Sequence, residues 1–303
     1  MALVNMKTIN FITPLLWFLL TNAGVCLLLS INLSLFGLDA ALLREGIGLR
    51  DIWLGVLLLS SLAAAGLILG SRLIIHYYLG ARMVHEPTDT KLQQLKIIIA
   101  QQARVAKIRA PALAVYESPE MNAFAVGSGR WDSVLVVSQS LLDGLTLDEL
   151  SAVVGHEMTH ITNGDMLTLS FMQAVVNICV YFPAYLLGSG LDRLFFRHRH
   201  FRPIYKSIRL FLQLSLGGIA SLIVMWFSRQ REFRADAGGA QLAGYAEMMA
   251  ALRSLQAGRH DEVAMHPFWS FGLNAYMPDS GLWRLFTSHP SLAERIKALY
   301  QSG

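Results

Sequence analysis

The sequence predicts a mainly α-helical chain with a small β-sheet, carried on two to four transmembrane helices. Three observations lead there: four long charge-free runs, a block between the second and third runs that mixes helical and strand patterns, and the helix-compatible stretch Gly155-His156-Glu157-Met158-Thr159-His160. Composition agrees. Hydrophobic residues make up 54% of the 303 positions and charged residues 15%, against about 25% charged in ordinary soluble domains. Mean hydropathy is +0.44.

The runs cover residues 11–38, 52–71, 166–191 and 210–228. Each is close to or above the roughly 20 residues that cross a hydrocarbon core. The first is longer than a secretory core of about 7–15 residues and lacks a small-residue cleavage site, so it reads as a retained anchor. The third and fourth runs contain more Gly, Ser, Asn and Gln, and a crossing hairpin and a non-crossing one are both open. Residues 1–76 therefore form an N-terminal transmembrane hairpin, 166–228 a second apolar helical hairpin, and 77–165 and 229–303 the two parts of one polar domain. Cys26 and Cys179 fall inside apolar runs, where a thiol acts as a small hydrophobe and no disulfide framework is expected. The formal charge of +4 favours an anionic lipid bilayer over nucleic acid as a partner, because basic residues are not interleaved with aromatics outside 193–209.

Within the polar block, residues 89–107 have helical spacing, with Leu92, Leu95, Ile99, Ala103 and Ala106 on one face. Pro111 is expected to end this helix. Residues 113–116 and 134–137 are β-rich and bounded by turn residues, and 122–126 are a candidate third strand. Thr146-Leu147-Asp148-Glu149 has the form of a capping box. The helix that it opens runs through Leu150, Val153 and Val154 into the histidine pair.

His156 and His160 are four residues apart, so on a helix they share one face about 6 Å apart. That spacing lets both imidazoles hold one zinc ion and turns Glu157 toward a water there, pairing metal ligands with the general base of peptide hydrolysis. The competing reading is a pair of exposed histidines on an amphipathic helix. A third ligand is available past the fourth run. Glu232 and Asp236 also share a helical face, so that Glu232 can bind zinc while Asp236 holds a ligand histidine by its other ring nitrogen. Alternatively, both carboxylates pair with Arg229, Arg231 and Arg234 on a solvated helix. His198 and His200 read as surface residues, since no carboxylate stands at ligand spacing.

In combination these segments resemble the HtpX family of membrane-anchored bacterial zinc metalloproteases, related to the CaaX prenyl endopeptidases. The resemblance rests on Asn122-Ala123-Phe124, on the histidine motif followed by Asn163-Gly164-Asp165, on Met225–Arg229 leading to Glu232 and Asp236, and on Ser288-His289-Pro290 with Arg295. It implies a zincin-like metalloprotease domain in the inner membrane that cleaves misfolded or damaged membrane proteins under stress. It implies one zinc per chain on His156, His160 and Glu232, with Glu157 as base. Asn122, Ala123 and Phe124 would belong to an edge strand that aligns substrate, and His289 would lie near the metal as a further catalytic donor. A catalytically silent scaffold of the same fold is the alternative, against which the intact Glu157 speaks. A transport component is a third reading, disfavoured by charge-free runs.

Two crossings between His160 and Glu232 would return the chain to the side it left. Lys7, Arg72, Arg82, Arg229, Arg231 and Arg234 lie on that side and favour a cytoplasmic site, against the basic loop 193–209. Beyond Asp236, residues 245–255 and 289–300 read as helices, with Gly258 near the end of the first and Ser291 and Glu294 capping the second. Residues 260–279 are expected to form a loop or flap.

Overall fold

The structure, a computed structural model, describes residues 80–169 (Thr88 excepted), 172, 202–258 and 289–302, with isolated positions between 30 and 66. The first and third apolar runs, Cys26, Cys179, His198, His200 and 260–279 lie wholly or almost wholly outside the described residues, as does part of the second run. Among the described residues, no helix is long and apolar enough to cross a membrane. The chain divides into two compact units, Met1–Leu67 with Thr168–Val224, and Ile68–Leu167 with Met225–Gly303. In the first, residues 53–59 are helical and Trp53 Nε1 donates to Ser30 Oγ at 3.1 Å.

The second unit is mainly helical with a small mixed sheet. Its elements in order are β1 (Arg82–Met83), α1 (Thr90–Ala106), β2 (Ala112–Tyr116), β3 (Ala123–Gly129), β4 (Asp132–Ser138), α2 (Gln139–Gly144) and α3 (Leu147–Asn163). The long α4 (Arg202–Ala243), whose residues from Met225 belong here, is followed by α5 (Tyr245–Ala257) and α6 (Leu292–Ser302). Helix α1 starts at an Asp89 cap whose carboxylate accepts from the Lys91 N–H. It does not end at Pro111. Lys107 takes the left-handed conformation (φ 55, ψ 44) and its N–H returns to the carbonyls of Ala103 and Arg104, which closes the helix before the proline is reached.

The sheet order is β1-β2-β4-β3. β2 and β4 are parallel, and the outer pairs are antiparallel. β4 is central, and its consecutive Val134, Leu135, Val136 and Val137 are all buried, as expected of a strand covered on both faces. One face joins α1, α2, α3, α5 and α6 in the main core. On the other, Tyr116 and Phe124 pack edge to face with ring centroids 6.1 Å apart, beside Ala81, Ala114, Val134 and Val136. β3 is an edge strand. Its Gly127 has φ +128, and a Cβ there would fall 2.2 Å from the Asp132 carbonyl oxygen, so only glycine fits the irregularity that ends the β3–β4 ladder.

The expected capping box opens α3: Thr146 Oγ1 accepts from the Glu149 N–H, and Glu149 returns to the Thr146 N–H at 2.8 Å. Helix α2 was not foreseen. Ser138 caps it by accepting from Leu141 N, and Lys91 Nζ binds the carbonyls of Leu142 and, at 2.7 Å, Leu145 near its end. Helix α4 corrects one boundary: Arg202, Lys206 and Arg209 are helical rather than part of a loop. Helix α6 starts at Leu292, later than expected, because Ser291 and Glu294 exchange bonds with each other's N–H groups just before it.

Helices α3 and α4 meet at glycines. A Cβ on Gly155 would lie 3.1 Å from Gly239 Cα, one on Gly239 2.9 Å from the His156 nitrogen, and one on Gly238 2.3 Å from Thr159 Oγ1. Glycine inside a helix costs about 1 kcal/mol relative to alanine, so these positions trade local helix preference for backbone proximity. Gly239→Ala should therefore destabilise the chain by about 1–3 kcal/mol through overpacking, despite improved helix propensity. A lowered thermal midpoint in detergent is expected, and an unchanged or raised one contradicts the close crossing.

Candidate metal centre

The α3–α4 crossing places the acidic segment of α4 against the histidine face of α3. His156, His160 and Glu232 are buried, and each offers a ligand atom within 4.8 Å of the others. His156 Nε2 and His160 Nε2 are 3.1 Å apart. Each stands 3.4 Å from a Glu232 oxygen. Neither solvent-exposed alternative survives, since the relative exposures of His156, Glu232, Asp236 and Arg231 are 1, 1, 2 and 6%.

The outer ring nitrogens fix what the inner ones present. His156 Nδ1 donates to Asp236 Oδ1 at 2.9 Å and His160 Nδ1 to Asp165 Oδ2 at 2.8 Å. Both neutral imidazoles therefore turn a lone pair inward from Nε2. Glu232 Oε2 adds another buried acceptor without a hydrogen-bond partner. Three converging lone-pair donors require a cation between them. Tetrahedral ligands about 2.0–2.1 Å from zinc stand about 3.3–3.4 Å from one another, and the observed separations agree.

Charge gives an independent test. Among the described residues, the buried carboxylates are Glu157, Asp165, Glu232 and Asp236, and the buried cations are Arg231 and Arg295. All six lie at this centre. With four ionised carboxylates and two guanidinium groups, two negative charges remain, which one divalent ion cancels. The centre is a single zinc site.

Proton affinities reflect the same imbalance. Without a cation between the ligands a proton takes its place: burial acts to lower the His160 pKa, but the Glu232 carboxylate and the Asp165 hydrogen bond outweigh it and push the imidazole up to about 10. Burial works to raise Glu232, yet His289, His160 and His156 hold it well below the usual carboxylate range. Burial raises Glu157, partly opposed by the two imidazoles. For Asp236, burial is overcome by the Arg295 guanidinium, which keeps it low.

Glu157 is buried beside the histidines, following His156 on α3. His289 Nδ1 is 3.2 Å from Glu232 Oε2 but out of line for a hydrogen bond, and both of its ring nitrogens are buried without one. In the Asn122–Phe124 segment, the Ser138 N–H donates to the Asn122 carbonyl at 2.9 Å. Strand alternation then turns the backbone groups of Ala123 and Ala125 to the open edge. The Phe124 ring points to the far sheet face against Tyr116, and the Asn122 side chain bonds the Tyr116 hydroxyl.

Three further side chains contribute to the centre. Asp165 is five residues past His160, which on an unbroken helix would point it away. Gly164, left-handed at φ 66, ends α3 and swings the carboxylate back. Arg231 donates to Glu232 Oε1 at 3.3 Å and the Asp165 carbonyl at 3.4 Å. Arg295 grips Asp236 through two hydrogen bonds. Its position between Leu292 and Leu299 on the buried stripe of α6 was the available signal, since a charge there needs a buried partner.

Comparison with known proteins agrees with this geometry. The description of Peptidase family M48 matches residues 89–302. The Protease HtpX homolog of Nitrosomonas eutropha is 41% identical over 287 residues, covering 93% of this chain and 97% of that protein. Protease HtpX of Nitrosococcus oceani is 41% identical over 289 residues, covering 93% and 96%. The crystal structure of S. mikatae Ste24p shares the fold with a TM-score of 0.56 at 18% identity; the alignment covers 93% of this chain and spans 66% of the length of that one. With its buried His156, His160 and Glu232 centre, the chain belongs to the HtpX-like proteases of peptidase family M48 and is a zinc metalloendopeptidase.

Proposed function

We propose that this endopeptidase is a multi-pass protein of the bacterial cytoplasmic membrane that cleaves misfolded or damaged membrane proteins during stress, with its metal centre facing the cytoplasm. The observation that carries the catalytic part is Glu157, buried on α3 next to the ligand His156 and within one turn of His160, in a unit whose edge strand β3 has open backbone positions. The membrane part rests on the four charge-free runs, the third of which begins six residues after His160. Lys7, Arg72, Arg82, Arg229 and Arg234 favour the cytoplasmic side; Arg231 is occupied at the metal centre. In this reading 1–76 and 166–228 are the membrane hairpins, and 77–165 with 229–303 make up the protease domain.

When bound, zinc supplies a Lewis acid that acidifies water and polarises the scissile carbonyl. The substrate adds to β3 as a further strand and bonds the outward backbone groups of Ala123 and Ala125. Asn122 and Phe124 act from behind by anchoring that strand to Tyr116. Recognition through backbone leaves side chains largely unread, which suits the broad specificity that clearance of damaged proteins needs. The Glu157 carboxylate takes the proton of the attacking water and delivers it to the leaving amine. His289 offers a ring N–H to the oxygen on which negative charge develops. Asp236 and Asp165 hold the two ligand imidazoles in the lone-pair-inward tautomer throughout.

Glu157→Gln keeps the shape of the site and removes the base. It should retain zinc while losing at least 10²–10⁴-fold in turnover of an unfolded membrane protein, measured by peptide release from detergent-purified protein; cleavage near the wild-type rate would remove Glu157 from the mechanism. Orientation is tested separately. With Cys26 and Cys179 replaced by serine, a cysteine introduced at the exposed Lys107 should react with a membrane-impermeant maleimide in inverted vesicles but not in intact spheroplasts. Labelling in spheroplasts contradicts a cytoplasmic site.

A further inference from the structure

We propose that Arg295, delivered by the C-terminal helix α6, is a positioning residue of the metal centre: by clamping Asp236 it fixes the orientation of the zinc ligand His156, and so makes docking of α6 part of zinc retention. The inference rests on the zinc-protease reading and concerns a residue with no place in the hydrolytic step.

The geometry points one way. Arg295 Nε donates to Asp236 Oδ2 at 2.8 Å and Nη2 to Oδ1, the forked pairing that fixes a carboxylate in both position and rotation. Oδ1 is also the atom that accepts from His156 Nδ1. Among the described residues, Asp236 has no hydrogen-bonding side chain besides these two. Without the guanidinium, one oxygen would be left bare in the interior and the carboxylate would be free to turn away from the imidazole. Nη2 also sits 3.3 Å from His156 Nδ1. Because arginine has only donors, it cannot replace Asp236 as the acceptor of a His156 Nδ1–H. Nη1 carries no hydrogen bond and lies 3.8 Å from Glu232 Oε2, so the same cation faces a second ligand.

Helix α6 is built to make this delivery. Its Ser291–Glu294 capping box fixes its start directly after His289 and Pro290, while Leu292 and Leu299 seat the flanking turns in the main core. Tyr245 of α5 donates its hydroxyl to the Leu299 carbonyl at 2.9 Å. The capped start of α6 thus places His289 just before the helix and Arg295 within it, and both reach Glu232 Oε2, at 3.2 and 3.8 Å.

The test is a double-mutant cycle on the full-length, detergent-purified chain, with zinc affinity read by chelator competition and site geometry by the visible spectrum of the cobalt-substituted protein. Arg295→Met should weaken zinc binding by roughly 10–100-fold and alter the cobalt spectrum. Asp236→Asn should do likewise. Once Asp236→Asn is present, adding Arg295→Met should cost less than about threefold more, because the arginine acts through the carboxylate. Losses that multiply, or wild-type affinity and spectrum in Arg295→Met, overturn the proposal. If Arg295→Met fails to fold, Arg295→Lys, which keeps the charge but not the fork, takes its place in the same cycle with the same outcomes. A wild-type chain that takes up no zinc overturns the zinc reading and this inference together. A wild-type chain that binds zinc beside an Arg295→Met chain that binds it equally overturns this inference alone.

Discussion

Four carboxylates and two guanidinium groups buried in one place leave a deficit of two positive charges, and the rest of the structure is arranged around the divalent ion that supplies them. Removing a charged group from water costs several kcal/mol even after relaxation, so such a cluster persists only when every member has a partner. Asp236 and Asp165 are answered by imidazole N–H groups, Asp236 again by Arg295, and Glu232 in part by Arg231. What remains is the inward set of two ring nitrogens and a carboxylate oxygen.

Holding that set together constrains the fold far from any ligand. The donors come from two helices, so the backbones of α3 and α4 must approach closely, and Gly155, Gly238 and Gly239 stand where side chains would prevent it. Asp165 must return to a helix it has already left, which Gly164 permits by taking a left-handed conformation. Glu157, one residue past His156 on α3, is buried beside the same centre. The sheet does more than fill the core: β3, at its edge, presents the backbone groups of Ala123 and Ala125 to the open side.

Much of this was legible in the residues. The Thr146–Glu149 box announced α3, and i,i+4 spacing placed both His156 with His160 and Glu232 with Asp236 on shared faces. Edge strand β3 and the α6 capping residues were legible as well. Local rules worked there because each signal and its partner are within one turn or one strand. They failed where the partner is remote. Asp165 is out of phase on any continuous helix and comes into reach only through the break at Gly164. Arg231 read as a surface charge among arginines, although its burial follows from an α3–α4 crossing that no local pattern encodes. Pro111 looked like the end of α1, but Lys107 had already closed it with two backbone bonds. The short β1 and α2 carry too few residues for a periodicity to register.

X-ray absorption at the zinc edge of the purified full-length protein tests the central claim most directly. The account expects one zinc per chain in a nitrogen and oxygen shell at about 2.0–2.2 Å, with the outer-shell scattering of two imidazole rings. A shell containing sulfur, a single imidazole, or protein purified without stoichiometric metal would contradict it.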